Sequence, residues 1–162
     1  MRAIDRALVD EVWHELTAYG AARTGEEARA FLGRQPFVAG FSHALTQGQD
    51  EAVQRAALGL CFLLFKVLEA SLGGPFPEVS EARIVAAHGE ARAAIAELGA
   101  PEPGTVLRAM DGGVGPGLVG HILATFYGGD AVGADYDDGV RANLALLLGT
   151  LTRALDLGRT EP

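Results

Sequence analysis

From Asp50 to Leu72 the chain repeats apolar side chains at helical spacing. Val53, Ala57, Leu60, Leu64 and Leu68 line one face, and Leu58, Phe62 and Phe65 carry the apolar surface round the back. Asp50 is placed to cap such a helix, and Gly73, Gly74 and Pro75 to stop it. The spacing predicts one helix of about six turns, apolar enough for the centre of a bundle. Its charged side chains, Glu51, Arg55, Lys66 and Glu69, share a sector of about 60° on a helical wheel. The chain's single lysine therefore belongs to a narrow polar stripe, where it also suits the negative end of the helix dipole. The uninterrupted apolar run, Ala56 to Phe65, is too short to span a bilayer, which needs ~20 such residues.

The same pattern extends along the chain. Leu8, Val12, Leu16 and Tyr19 mark a helix from Ile4 to Tyr19, stopped by Gly20. Thr24 and Glu27 have the spacing of a capping box for a short helix through Leu32. Pro36 suits the first turn of a helix reaching about Gln47. Ser80 begins a long helix to Leu98, closed by Gly99, and a short segment follows near Val106 to Met110. Two more helices are expected, from about Pro116 to Tyr127 and from Asp137 to Leu157. No strand pattern competes, and the predicted fold is an all-α helical bundle.

Laying the halves over each other exposes an internal likeness. QPFVAGFSHALTQGQ from Gln35 matches GPGLVGHILATFYGG from Gly115, pairing Pro36 with Pro116, Gly40 with Gly120 and Ala44 with Ala124. After the insertion DAVGADY, the stretch from Asp50 matches that from Asp137, pairing Val53 with Val140, Leu60 with Leu147, Leu64 with Leu151 and Lys66 with Arg153. Upstream, Gly20 pairs with Gly99 and Arg29-Ala30 with Arg108-Ala109. The expectation is one domain over 1–162, built from two tandem pseudo-equivalent helical units of about eighty residues, 1–79 and 80–162.

Composition narrows the function classes. At 162 residues the chain buries enough surface to fold without disulfides or a structural metal. Thirteen basic against 21 acidic residues give a net charge of -8, which repels phosphate backbones and anionic lipid, so neither nucleic acid nor a membrane surface is an expected partner. One cysteine excludes an intrachain disulfide, and Asp5, Asp10 and Glu11 interrupt the N-terminal stretch where a signal peptide needs an apolar core. The reading is cytoplasmic.

Three groups of residues carry candidate chemistry. DGGVGPGLVG holds Asp111, Gly113, Gly115, Gly117 and Gly120, with Asp135 eighteen residues beyond Gly117. Over about thirty residues it resembles the nucleotide-binding start of a class I methyltransferase or Rossmann domain. The resemblance implies a site for S-adenosylmethionine or NAD using Asp111, Gly115, Gly117 and Asp135. Against it, a buried parallel strand should be apolar throughout, and VLRAM before the turn holds Arg108. Nor does the chain after Asp135 leave room for further βα units. Glu11 and His14 form an E-x-x-H, half of a di-metal helical-bundle site, without a second copy elsewhere. Asp135, Asp137 and Asp138 before Gly139 depart from calcium-loop spacing and are read as solubilising the loop and favouring the start of the last helix.

Among the other reactive groups, Cys61 flanks the apolar face and is paired with Leu148, which makes it a small core side chain. His43 and His121 follow the two prolines and are candidates for a groove between the halves, while Trp13 is expected to anchor the first helix. The sequence reads as a non-enzymatic binding or protein-interaction module needing no cofactor, with a protein partner or homodimer expected. A nucleotide-cofactor enzyme and a metal-binding bundle are the alternatives.

Overall fold

Four helices begin where an aspartate or serine accepts a backbone N–H. In the computed structural model, which describes residues 2–100, 102–111, 114–128 and 136–156, Asp50 accepts from Val53 N at 2.9 Å, Ser80 from Arg83 N at 3.3 Å and Asp137 from Val140 N at 2.8 Å. These open α4 (Glu51–Leu72), α5 (Glu81–Ala96) and α8 (Asp138–Ala154). Asp5 does the same for α1 (Arg6–Thr17) through Leu8 N at 2.9 Å. The remaining helices are α2 (Ala21–Arg34), α3 (Pro36–Leu45), α6 (Pro103–Met110) and α7 (Leu118–Gly128). Every regular element among the described residues is a helix.

The main departure from the expected elements concerns α2. Thr24 and Glu27 do not cap it. The helix starts at Ala21 behind Gly20, Thr24 lies inside with its N–H on the Gly20 carbonyl, and the Glu27 carboxylate is taken by Lys66. The other differences are at the ends. The helix after Ser80 stops at Ala96, that after Pro36 at Leu45 and the last at Ala154, while Pro103 starts α6 before the segment near Val106.

The two long helices α4 and α8 touch and form the centre. Helices α1, α3 and α7 pack on α4, and α3, α5, α6 and α7 pack on α8. From Leu144 to Ala154 every residue of α8 is buried, the condition of a helix with no solvent face. Its polar side chains are satisfied inside. Thr152 Oγ1 donates to the Gly149 carbonyl at 3.2 Å, and Thr150 Oγ1 lies 3.4 Å from His88 Nδ1 on α5. Arg153, which its pairing with Lys66 put on the polar stripe of the last helix together with Asp138 and Asp156, is buried instead. Its guanidinium donates to the carbonyls of Ala109 at 2.8 Å, Met110 at 3.3 Å and Gly149 at 2.9 Å. It thereby satisfies the C-terminal carbonyls of α6, which have no intrahelical partner.

Helix α6 comes this close because Gly149 has no side chain. A Cβ there would stand 2.6 Å from Met110 Cβ and 2.7 Å from its Sδ. Beside α4 the contacts are aromatic. Phe31 of α2 packs on Phe62 and Phe65 of α4 at ring-centroid distances of 5.7 and 5.3 Å, and Phe65 on Phe76 at 5.7 Å. Gln35, buried between α2 and α3, pins the chain returning from α4: its side-chain amide donates to Pro77 O at 2.8 Å and its oxygen accepts from Val79 N at 3.0 Å.

The approach at Gly149 generates a test. Gly149→Ala gains ~0.5–1 kcal/mol of backbone entropy in a helix and loses about 1–3 kcal/mol to overpacking. Its thermal midpoint should fall by several degrees. Gly59→Ala on α4, whose new Cβ would meet only Phe126 at an ordinary 3.8 Å, should hold or raise the midpoint. Differential scanning calorimetry of the two variants distinguishes these effects.

Candidate functional site

The glycine-rich turn is closed upon itself. Helix α6, not a strand, leads into it, and Asp111 ends that helix. The Asp111 carboxylate reaches across the turn and accepts from Gly117 N at 2.7 Å, where Gly117 adopts a φ of +77° that favours glycine. Gly115 lies under Ile4, which an added Cβ would meet at 3.5 Å, and His121 packs over Gly117. Thus the structure joins Asp111, Gly115 and Gly117 in one turn. The backbone N–H that the cofactor resemblance would offer to a phosphate is held by an internal carboxylate. Asp135, the fourth residue of that reading, and Gly113 lie outside the described residues.

The E-x-x-H pair is not assembled into a site. Glu11 is held by Arg2 in a two-pronged pair at 2.8 and 2.7 Å, and this guanidinium keeps its carboxyl below the usual range. His14 is exposed beside it. Among the described residues no group of three His, Cys, Asp or Glu side chains is arranged to hold a metal, and no helix is long and apolar enough to cross a membrane. Asp137 is committed to Val140 N, and Asp138 occupies the first turn of α8.

Cys61 is completely buried, and burial pushes its thiol up to about 12. A thiol so far from ionisation is a poor nucleophile at neutral pH. His43 is exposed on α3, and His121 packs over Gly117 at the turn. Trp13 packs edge-on against Phe126 of α7 at 6.1 Å, joining the first helix to the second half.

Two charged clusters bind helices together. Lys66 Nζ lies 2.5 Å from Glu27 Oε2 and 3.4 Å from Glu69 Oε2, with Arg34 on the other side of Glu69 at 3.1 Å. Burial alone would lower the Lys66 ammonium, but the bond from Glu27 and the charge of Glu69 outweigh it and hold it above its ordinary value. The other cluster centres on His88, set between α3 and α8. Its ring is edge-on to Phe41 at 5.1 Å, and burial followed by the charge of Arg92 lowers its pKa.

A concavity among the described residues lies elsewhere. Helices α6, α7 and α8 enclose a half-open cleft of about 270 Å³ lined by Gly104, Leu107, Gly120, Leu123, Ala124, Tyr127, Arg141 and Ala145. Small residues on all three helices keep it open: side chains added at Gly104 or Gly120 would meet nothing within 4 Å. Arg141 stands exposed at its mouth. Its guanidinium carbon lies 5.1 Å from the Tyr127 ring centre, and its Nε donates to Tyr136 O at 2.9 Å. The Tyr127 ring meets Tyr136 at 5.2 Å, and both phenol oxygens are buried with no hydrogen-bond partner. Burial lifts the Tyr127 phenol to about 12, so it remains a neutral donor throughout the physiological range.

The sequence pattern did not mark a cleft: Gly120 and Ala124 stood out only as repeat and motif positions, and Gly104 and Ala145 did not stand out. Gly104, Gly120, Ala124 and Ala145 are ordinary small helix residues taken singly, and only the packing of three helices brings them face to face. A residual signal exists at Arg141, which stands where the first half has Gln54. Comparison of this chain with protein-family models, curated proteins and solved structures finds no match.

Two measurements follow. Cys61 in the native protein should react with a thiol reagent only slowly, at a rate that rises with denaturant, and immediate stoichiometric labelling would contradict its enclosure. For His88, the folded-state pKa lies below the unfolded value near 6.5, so the unfolded chain binds the proton more tightly. Its contribution is complete above that value and is lost as pH falls below it. Urea midpoints measured from pH 7.5 to 5 should decline less steeply for His88→Gln than for the parent protein.

Proposed function

We propose that this protein is a non-enzymatic binding module of two pseudo-equivalent helical units, in which the second unit holds a small, largely apolar ligand between α6, α7 and α8. The cleft carries this reading. It combines an apolar lining, one guanidinium and Tyr127, whose hydroxyl oxygen is buried, and among the described residues its lining includes no carboxylate, histidine, cysteine or serine. Ligand sites typically have this composition, an apolar wall with a few fixed polar groups.

The two-unit organisation is supported by how the helices meet. Helix α1 packs on α4 as α5 packs on α8, α3 on α4 as α7 on α8, and α2 on α3 as α6 on α7. Between halves, α1 meets α7 as α5 meets α3, and α4 meets α7 as α8 meets α3. Burial also recurs at paired positions: Val38 with Leu118, Ser42 with Ile122, Thr46 with Phe126, Leu60 with Leu147 and Leu64 with Leu151. Lys66 ties α4 to α2, and its counterpart Arg153 ties α8 to α6. Phe31 on Phe62 in one half corresponds to Met110 on Gly149 in the other. On this view the halves share a scaffold and differ in what fills it, which leaves the second unit free to bind.

Gly120→Leu provides the test. The substitution replaces a poor helix former with a good one and projects a side chain into open space, so the protein should fold at least as stably. The neutral single-ring probe n-propylbenzene should give binding heat in a calorimetric titration of the parent protein and none with the variant. Equal binding by both, or none by the parent, would remove the cleft as a ligand site.

A further inference from the structure

Resting on that reading of the cleft, we infer the chemical class of its occupant: an apolar monocarboxylate of about ten heavy atoms, with its carboxylate on Arg141 at the mouth and its body between α6, α7 and α8. Arg141 differs from six other guanidinium groups of this chain in its partners. Arg2, Arg6, Arg23, Arg34 and Arg55 each have a carboxylate within 4.0 Å, and Arg153 is consumed by main-chain carbonyls. Arg141 is held by a ring face and one carbonyl, and forms no ion pair with a described residue. The Nε bond and the Tyr127 contact fix the plane of the group and leave its two terminal nitrogens for a ligand. A planar, two-pronged donor of this kind matches a carboxylate.

The surroundings support an anion at this place and apolar matter behind it. Arg141 lies in the first turn of α8, where the helix dipole is positive. Of the two acids at this helix start, the N-cap Asp137 accepts from Val140 N and Asp138 stands in the first turn, and neither forms an ion pair with Arg141. Ala145, one turn further along the same face, begins the apolar wall continued by Leu107, Leu123 and Ala124. At roughly 30 Å³ for each water-sized group, the 270 Å³ of the cleft accommodates a short chain or a single ring, not a nucleotide. A second ionised group on the ligand would be drawn into the apolar wall with no partner there, at a desolvation cost that one guanidinium at the mouth does not offset.

Octanoate and its uncharged counterpart octanol provide the test, titrated calorimetrically into the parent protein, Arg141→Gln and Gly120→Leu. Arg141 is exposed, so its replacement should leave the helical circular dichroism unchanged. The expected result is that octanoate binds the parent more tightly than octanol. Arg141→Gln should then weaken octanoate ~10-fold or more, in line with loss of a charge-assisted bond, and leave octanol unaltered, while Gly120→Leu abolishes both. Equal binding of the two ligands, insensitive to Arg141→Gln, would overturn the carboxylate assignment while the cleft itself stands. Absence of binding by either ligand, together with no response to the neutral probe, would overturn the cleft reading as well.

Discussion

A helix surrounded by protein over three turns has no water to satisfy its polar groups, and the arrangement of this fold follows from that constraint on α8. Leucines meet it easily. Thr150, Thr152 and Arg153 do not, and each is placed where a neighbour supplies the missing partner: a histidine from α5, the helix's own carbonyl, and the open C-terminus of α6. The Arg153 contact is two-sided, because the buried guanidinium and the unpaired carbonyls of α6 would each be costly alone. Gly149 provides the clearance that lets them meet. Removing side-chain volume at one position of α8 therefore sets the position of a second helix and, through it, one wall of the cleft.

The neighbours of α4 and those of α8 are packed with different side chains. In the first, Phe31, Phe62, Phe65 and Phe76 fill the space beside α4, and a polar knot of Lys66, Glu27, Glu69 and Arg34 closes one end. In the second, a methionine over a glycine lets the helices approach, and main-chain carbonyls accept from the Arg153 guanidinium. The aromatic solution fills its volume. The close-approach solution brings α6 tightly onto α8 near its C-terminus and leaves unfilled space towards the N-terminal end, around Gly104, Gly120 and Ala145.

Periodicity and capping made the helices legible in the sequence, since both are local. Asp50, Ser80 and Asp137 act as expected, and Gly73 ends α4 with a φ of +77°. The capping box at Thr24 misled because the same spacing occurs inside a helix whose glutamate has a stronger claim from Lys66. Arg153 looked like part of a polar stripe because a wheel shows which face a residue occupies, not what lies against it. Asp111 and the glycines were visible as a turn, but the 2.7 Å bond that occupies Gly117 N was not. The cleft was the least legible feature, because it consists of the absence of side chains at places that only tertiary packing brings together.

The single lysine has a consequence for the chemistry of the surface. Twelve arginines accompany it, and a guanidinium stays protonated and resists acylation under conditions where an amine reacts. Lys66 is the one side-chain amine on offer, at 17% exposure and clasped by two carboxylates. To acylating reagents, amine crosslinkers or a lysine-modifying enzyme, the folded protein would present almost no handle. Loosening of α2 from α4 would present one, making amine reactivity a direct gauge of that contact.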